Sequence, residues 1–459
     1  MTVSSSLSIL FLSFFASITF NGFFRNLAKK YGILIDLPDK SRKFHFRATP
    51  LTGGISIFTA MIVTGVLLNG LTIVPVEANI NEGLLKNADF SSQNKTTKYE
   101  VDKKEYEVNS EVNKNSNSVK IDVGLTNQTP SSVEITPNAN GNFDVLFSDG
   151  STEVYSYENG QVKNISSPLE GFLSPLIKSR SSLEIDSATL AMFICGGFIV
   201  FFMMIDDFIG IRASIRLVFQ ALIAYLFILM CDESIINLGN LLGFGDIELK
   251  YMYSIIFTIF CVVGLMNAFN MIDGLNGICA SFALIPLLIL MFFGTVKYGL
   301  LIPIGALIGF LTYNLGWFGK KRGVFLGDSG SNLLGFIVAV LCIDLSQSHQ
   351  AINPVTALWL VAIPLLDCVG VMGSRLLKGI GPFKPGRDHL HHKLVDLGLT
   401  QNNILVVFIT LSSGLGCIGW MFEVVFPGKE YLSFYSFILF AITYFVTKNT
   451  LLEKNAQSI

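Results

Sequence analysis

Phe201-Phe202-Met203-Met204-Ile205-Asp206-Asp207-Phe208-Ile209-Gly210 ends an apolar run that starts near Ala188 and is long enough to cross a bilayer as one helix. It stops on two adjacent carboxylates. Side by side at a membrane boundary they repel each other and are costly to desolvate, so a cation is expected near them. Two readings stand at this point: a solvated helix end, or a divalent metal serving a phosphate substrate.

Outward from that stretch, 51% of the chain is apolar and only 14% is charged, with 39 Phe among 459 residues. That composition excludes an ordinary soluble domain and gives no sign of a nucleic-acid partner. The fold class expected is an all-α polytopic membrane protein in a lipid bilayer. About eleven apolar runs are long enough to span, near residues 4–24, 52–76, 186–205, 213–232, 251–270, 277–295, 299–318, 329–346, 354–374, 403–424 and 431–449. All seven cysteines lie in or beside such runs and none forms a CxxC pair, so they read as small core hydrophobes.

Between the second and third runs the composition changes. Residues 77–185 are polar, rich in Asn, Ser, Lys and Glu, and free of Cys. In the second half Phe143-Asp144-Val145-Leu146-Phe147 and Val154-Tyr155-Ser156-Tyr157 alternate, and Asp149-Gly150 and Asn159-Gly160 sit where two-residue hairpin turns belong. A small β-rich insert is expected there, with Asn81 to Asn117 as a loosely ordered lead-in. The domains expected are residues 1–76, with two helices and the first loop between them, the insert at 77–185, and residues 186–459, with the remaining helices.

Lys and Arg sort to one side of the membrane. Arg25 through Arg47, Arg212 and Arg216, Lys320 through Arg322, and Arg375 through Lys393 fall in one set of connections; the other set holds only Lys250, Lys297 and Lys429. The basic set is expected in the cytoplasm, which puts the N-terminus and the insert outside and the C-terminus inside. With that parity every polar cluster lands on the cytoplasmic face: Asp206-Asp207; Asn267 through Gly277, with Asn270, Asp273 and Asn276; Phe325-Leu326-Gly327-Asp328-Ser329-Gly330-Ser331; and Arg387-Asp388-His389-Leu390-His391-His392-Lys393. The acids offer hard oxygen ligands suited to Mg²⁺, with Mn²⁺ as a substitute. The bases suit an anion or sugar phosphate, and the glycines let the chain come close to a substrate. Gly-Asp-Ser-Gly also reads as a helix start capped by Asp328 or Ser329. Together these groups describe phosphoryl transfer between a nucleotide-linked donor and a lipid acceptor.

These ordered motifs, with Asp36-Leu37-Pro38, Arg42-Lys43-Phe44-His45 and Thr49-Pro50-Leu51-Thr52-Gly53-Gly54 in the first loop, resemble the polyprenyl-phosphate N-acetylhexosamine-1-phosphate transferase superfamily. Within it they are most similar to the bacterial undecaprenyl-phosphate N-acetylglucosamine-1-phosphate transferases. The likeness covers the chain apart from the insert. It implies an enzyme of the bacterial cytoplasmic membrane that moves N-acetylglucosamine-1-phosphate, or a close N-acetylhexosamine-1-phosphate, from a UDP-N-acetylhexosamine to undecaprenyl phosphate and releases UMP. It further implies that Asp207 and Asp328 ligate Mg²⁺, that Asp206 serves the acceptor phosphate, and that Asn270 and Asp273 position donor and metal. Phe325 would stack on uracil, Arg387, His389, His391 and His392 would contact the sugar and its phosphate, and His45 and Arg47 would lie on the nucleotide side. Relatives suggest a homodimer. Asn276 departs from the family, which commonly has Asp there, and so bears on base contacts and donor choice. Two other classes remain: a cation-coupled transporter, disfavoured by the lack of an internal repeat, and an inactive relative acting as a scaffold through an unknown partner of the insert.

Overall fold

The computed structural model describes residues 3–37, 47–71, 187–293, 300–382 and 386–457, and the strand residues between 95 and 164. The chain divides into two compact units: Met1–Leu68 together with Glu184–Ile459, and Asn69–Leu183.

The first unit is helical. Helix α1 (Val3–Tyr31) leads through a short antiparallel pair, β1 (Ile35–Asp36) with β2 (Thr49–Pro50), into α2 (Gly53–Leu71). After the second unit come α3 (Ser187–Ile209), α4 (Ala213–Cys231), α5 (Tyr251–Ile272), α6 (Ile278–Phe293) and α7 (Leu301–Asn314). Helix α8 (Gly327–Gln347) is followed by α9 (Pro354–Leu360) and α10 (Ala362–Leu377), bent by 79° at Val361. The short α11 (Leu390–Asp396) and the long α12 (Gln401–Val425) and α13 (Glu430–Gln457) complete it.

Among the described residues seven helices are long and apolar enough to cross a membrane, or eight if the bent pair counts as one span; Gly53–Leu67, Ile278–Phe292 and Leu301–Asn314 are apolar but shorter. The protein is therefore a multi-pass membrane protein. Most of these helices expose an apolar face, as lipid requires, but α8 differs: 89% of its most apolar window is buried, against 17–39% for the other six. A helix apolar on all sides belongs inside the bundle, and α8 is its axis. Small residues bring α1 and α7 together. Ser13 and Ser17 donate to the carbonyls of Ile302 and Ala306 at 2.6 and 2.7 Å. A Cβ at Gly305 or Gly309 would come within 2.6 or 2.7 Å of a backbone oxygen of α1. This is the close small-residue packing that membrane helices use.

The second unit is an antiparallel meander of seven strands in chain order, β3 (Lys95–Val101), β4 (Lys104–Asn113), β5 (Ser118–Leu125), β6 (Ser131–Pro137), β7 (Phe143–Phe147), β8 (Thr152–Glu158) and β9 (Gln161–Asn164). The register sets Val108 opposite Val123, Ile121 opposite Val133 and Ile135 opposite Val145. Strands β3 and β4 occupy the stretch expected as a loose lead-in, where Tyr99-Glu100-Val101 and Tyr106-Glu107-Val108 also alternate. The expected turns Asp149-Gly150 and Asn159-Gly160 lie outside the described residues, as does His45.

Candidate functional site

The buried axis α8 begins at the site, and its start fixes the rest. Its first turn has no cap from its own flanking residues. The cap comes from α3 instead: Asp207 Oδ1 accepts the Asp328 N–H at 2.9 Å and Oδ2 accepts the Ser329 N–H at 3.2 Å. A carboxylate there satisfies two orphan donors and meets the positive end of the helix dipole. So the cap is neither Asp328 nor Ser329. Gly327, at φ +76°, lies so close that a Cβ would stand 2.8 Å from Asp207 Oδ2.

Asp206, one residue earlier, points the other way and is almost buried. Its Oδ1 accepts the Ile211 N–H at 2.5 Å and its Oδ2 accepts Arg216 Nη1 at 2.9 Å. The same nitrogen donates to Asp328 Oδ2 at 2.9 Å, so Arg216 of α4 is the cation that the paired acids called for. Asp328 is also held by Asn270, whose amide donates to Oδ1 at 3.0 Å and to Ser331 Oγ at 3.1 Å. Behind it Asn267 donates to Gln220, Gln220 to Asn332, and Asn332 to the Asp328 carbonyl. This chain of amides crosses α5, α4 and α8 and fixes their rotation at the site.

Asp273 follows the last turn of α5. Desolvation by its surroundings, and then the charges of Asp328 and Asp207, push its carboxyl up to about 8. The turn after it is anchored by Asn314, which accepts the Gly277 N–H at 2.6 Å and donates to the Val324 carbonyl at 2.9 Å. Asn276 within the turn is exposed. Gly274 lies against the histidine cluster: a Cβ there would stand 2.1 Å from His391 Nε2. His391 is 1% exposed and neither ring nitrogen has a partner. Burial, with His392 and His389 beside it, presses its pKa down to about 3, and burial with Arg387 presses His392 down to about 4. Both rings are neutral at physiological pH and stand 4.2 Å apart.

The structure thus gathers Asp206, Asp207, Asn270, Asp273 and Asp328 around the start of α8, with His391 closing on Gly274. Arg387 sits on the exposed rim, where Nη2 bonds Asp396 at 2.9 Å. Arg47 is exposed in the first loop. Phe325 is half-buried, and its backbone ties that loop down: its N–H donates to Pro50 and its carbonyl accepts from Gly53. His389 is turned into the bundle, where Nδ1 meets the buried Asp367 at 2.8 Å. Sequence reading missed Arg216, counted only as a topological charge, and Asp367 and Lys448, each the lone ionisable residue in an apolar run, a signal that was there to be read.

Among the described residues no three His, Cys, Asp or Glu converge as a preformed metal cage. The donor set still fits a hard divalent cation, which commonly takes one or two carboxylates and completes its shell with substrate oxygens. Arg216, drawn between Asp206 and Asp328, marks where the acids need positive charge.

The model of glycosyl transferase family 4 matches residues 189–346, the stretch from α3 through α8 that carries the acids. The chain is 34% identical over 258 residues to the undecaprenyl-phosphate alpha-N-acetylglucosaminyl 1-phosphate transferase of Escherichia coli O157:H7, covering 54% of this chain and 70% of that protein. The protein of the same name in Escherichia coli strain K12 is 34% identical, covering 53% and 68%, and that of Haemophilus influenzae 35%, covering 52% and 69%. Likeness at this level, over more than two thirds of each relative and through the helices that build the site, means that the chain belongs to the family of the undecaprenyl-phosphate α-N-acetylglucosaminyl 1-phosphate transferases.

Proposed function

We propose that the protein transfers N-acetylglucosamine-1-phosphate, or a close N-acetylhexosamine-1-phosphate, from its UDP derivative to undecaprenyl phosphate, as the first membrane step of a cell-surface glycan pathway. An oxygen of the lipid phosphate attacks the sugar-bearing phosphorus of the donor, the bond to the bridging oxygen breaks, and UMP leaves with that oxygen. The observation that carries this reading is the convergence of Asp206, Asp207, Asp273 and Asp328 with Arg216 and Asn270 at the start of α8, in a chain whose relatives bear that activity in their names.

Mg²⁺, held by Asp207 and Asp328, would neutralise the donor diphosphate and the charge that grows on the leaving phosphate. Asp206, fixed by Arg216 and the Ile211 N–H, orients the acceptor phosphate. Asn270 holds Asp328 in place, and Asp273 serves the donor from the facing side. Phe325, His45, Arg47 and Asn276 belong to the nucleotide side, and Arg387, His389, His391 and His392 to the sugar and its phosphate. The orientation has eleven spans, the N-terminus and residues 77–185 outside, and the C-terminus and active site on the cytoplasmic face of the bacterial inner membrane, supported by the Lys and Arg asymmetry. The insert is an accessory β-rich domain for an external partner, and the enzyme works as a homodimer.

Membranes containing the protein, given Mg²⁺, UDP-N-acetylglucosamine and undecaprenyl phosphate, are expected to accumulate lipid-linked sugar, and the Asp328→Ala variant is not. Equal product from both, or none across several UDP-N-acetylhexosamines, would sink the proposal.

A further inference from the structure

Asp367 lies in α10, past the 79° bend, and is 1% exposed. No step of the proposed reaction uses it. Yet a buried carboxylate is costly unless it is paired and fully hydrogen-bonded, and this one is surrounded by donors. Its Oδ1 accepts Lys448 Nζ at 2.6 Å, the Leu390 N–H at 3.0 Å and the Tyr444 hydroxyl at 3.2 Å; its Oδ2 faces His389 Nδ1 at 2.8 Å. Lys448 is itself buried near the end of the last apolar helix, α13. The cluster joins α10, α13 and the start of α11, where the chain turns into His389-Leu390-His391-His392.

The contact with Asp367 decides how His389 is oriented. Asp367 and Lys448 form a buried ion pair, with Nζ 2.6 Å from Oδ1, which leaves Oδ2 to His389. The tautomer that donates Nδ1–H to the carboxylate presents a lone pair at Nε2 on the other side of the ring. A lone pair suits a hydroxyl or amide N–H, not a phosphate oxygen. The other charged and titratable groups of this segment are His391 and His392, both neutral, Asp388, which pairs with the buried Arg375 of α10 at 3.3 Å, and Arg387 and Asp396, which pair with each other on the rim.

We propose that Asp367 is the positioning residue for His389, that Lys448 and Tyr444 of the last helix hold it, and that His389 Nε2 accepts from a hydroxyl or the acetamido N–H of the donor sugar. This rests on reading the histidine segment as part of the donor site.

The test uses full-length protein in detergent with Mg²⁺, UDP-N-acetylglucosamine and undecaprenyl phosphate, following kcat and KM for the donor separately, with thermal unfolding as the folding control. His389→Ala is expected to lose about tenfold to a hundredfold in kcat/KM, the worth of one polar contact to substrate. Asp367→Asn should lose a similar amount and add little on top of His389→Ala. Lys448→Met removes the 2.6 Å contact that holds Asp367 Oδ1, so it should lower kcat/KM by a smaller factor than His389→Ala and add little on top of it. Tyr444→Phe, which deletes one hydroxyl, should lower kcat/KM by less, and Lys448→Arg should restore it. Unchanged kcat/KM in both Lys448→Met and Tyr444→Phe, or losses in Lys448→Met that add in full to those of His389→Ala, would overturn the proposal even if Asp367→Asn alone fails to fold. A fully active His389→Ala would instead overturn the reading of the segment as part of the donor site.

Discussion

Asp207 offers the sharpest test, because one carboxylate is asked to do two things. It caps α8 by accepting the N–H groups of Asp328 and Ser329 at 2.9 and 3.2 Å, and it is proposed to hold Mg²⁺. Asp207→Asn separates the two. The amide oxygen keeps one N–H, but the NH₂ group cannot accept the other, so one charge-assisted bond goes, worth about 1.5–3 kcal/mol. The lost charge at the helix start removes a further ~0.3–1 kcal/mol. Asn is still a good cap, and the first turn keeps most of its shape. A net loss of about 2–3 kcal/mol in stability is expected from capping alone, with no change in the response to metal. If the carboxylate also ligates Mg²⁺, the concentration for half-maximal activity should rise at least about tenfold, equivalent to ~1.4 kcal/mol. The rate at saturating metal should fall about a hundredfold, or ~2.7 kcal/mol of barrier. The assay is transfer into lipid-linked product in a Mg²⁺ titration, beside thermal unfolding of the same preparation. A lowered melting temperature with unchanged metal dependence and near-normal turnover would refute the metal assignment and leave Asp207 a cap.

Other perturbations follow from the same geometry. Arg216→Met leaves Asp206 and Asp328 facing each other with no cation between them; transfer is expected to fall by about 10²–10³, with Arg216→Lys intermediate, as read by initial rates in membranes. Gly274→Ala puts a methyl group where His391 Nε2 already stands, so activity should drop at least about tenfold while the fold, followed by thermal unfolding, is kept. His391 also makes stability depend on pH. Its folded pKa of about 3 lies below its unfolded value, so the unfolded chain binds the extra proton; the contribution is whole above about pH 6.5 and is lost as pH falls toward 3, at about 1.4 kcal/mol per pH unit. Melting temperature should therefore decline on acidification in the wild type, and less in His391→Gln.

What the sequence made visible was local. The run that ends on Asp206-Asp207 announces a span and a charged boundary in one reading, since twenty apolar residues and two acids need no knowledge of the rest of the chain. The four motifs were expected together by counting, because parity is a property of order alone, and the acids of three of them meet at the start of α8. What stayed hidden was pairing across distance. Nothing near Asp207 says that its partners are the N–H groups of Asp328 and Ser329, 121 and 122 residues on. Arg216 looked like one more topological charge because its role depends on the rotation of α4 against α8. The bend at Val361 was likewise unread: the run from 354 to 374 is apolar apart from Asp367, which lies past the bend, and only backbone geometry divides it. Strand β3 was missed because its alternation is short and crowded by Lys and Glu.

The glycines illustrate how a correct residue type can carry a different cause. Gly53-Gly54 and Gly327 through Gly330 suggested a chain that comes close to a substrate. In the structure they let two helix starts come close to each other. A Cβ on Gly54 would stand 2.4 Å from the Gly330 nitrogen, and one on Gly53 2.8 Å from the Phe325 carbonyl, while the N–H groups of Gly53 and Gly54 donate to Phe325 and Leu326. The starts of α2 and α8 are thus locked side by side, and Asp207, reaching from α3, caps one of them. Two positive helix ends point into the same region, which favours negative charge there in addition to whatever the side chains of the two motifs supply. It follows that the first loop and the acids form one mechanical unit: a methyl group at Gly54 would displace Gly330, carry the α8 start with it, and pull the Asp328 and Ser329 N–H groups off Asp207.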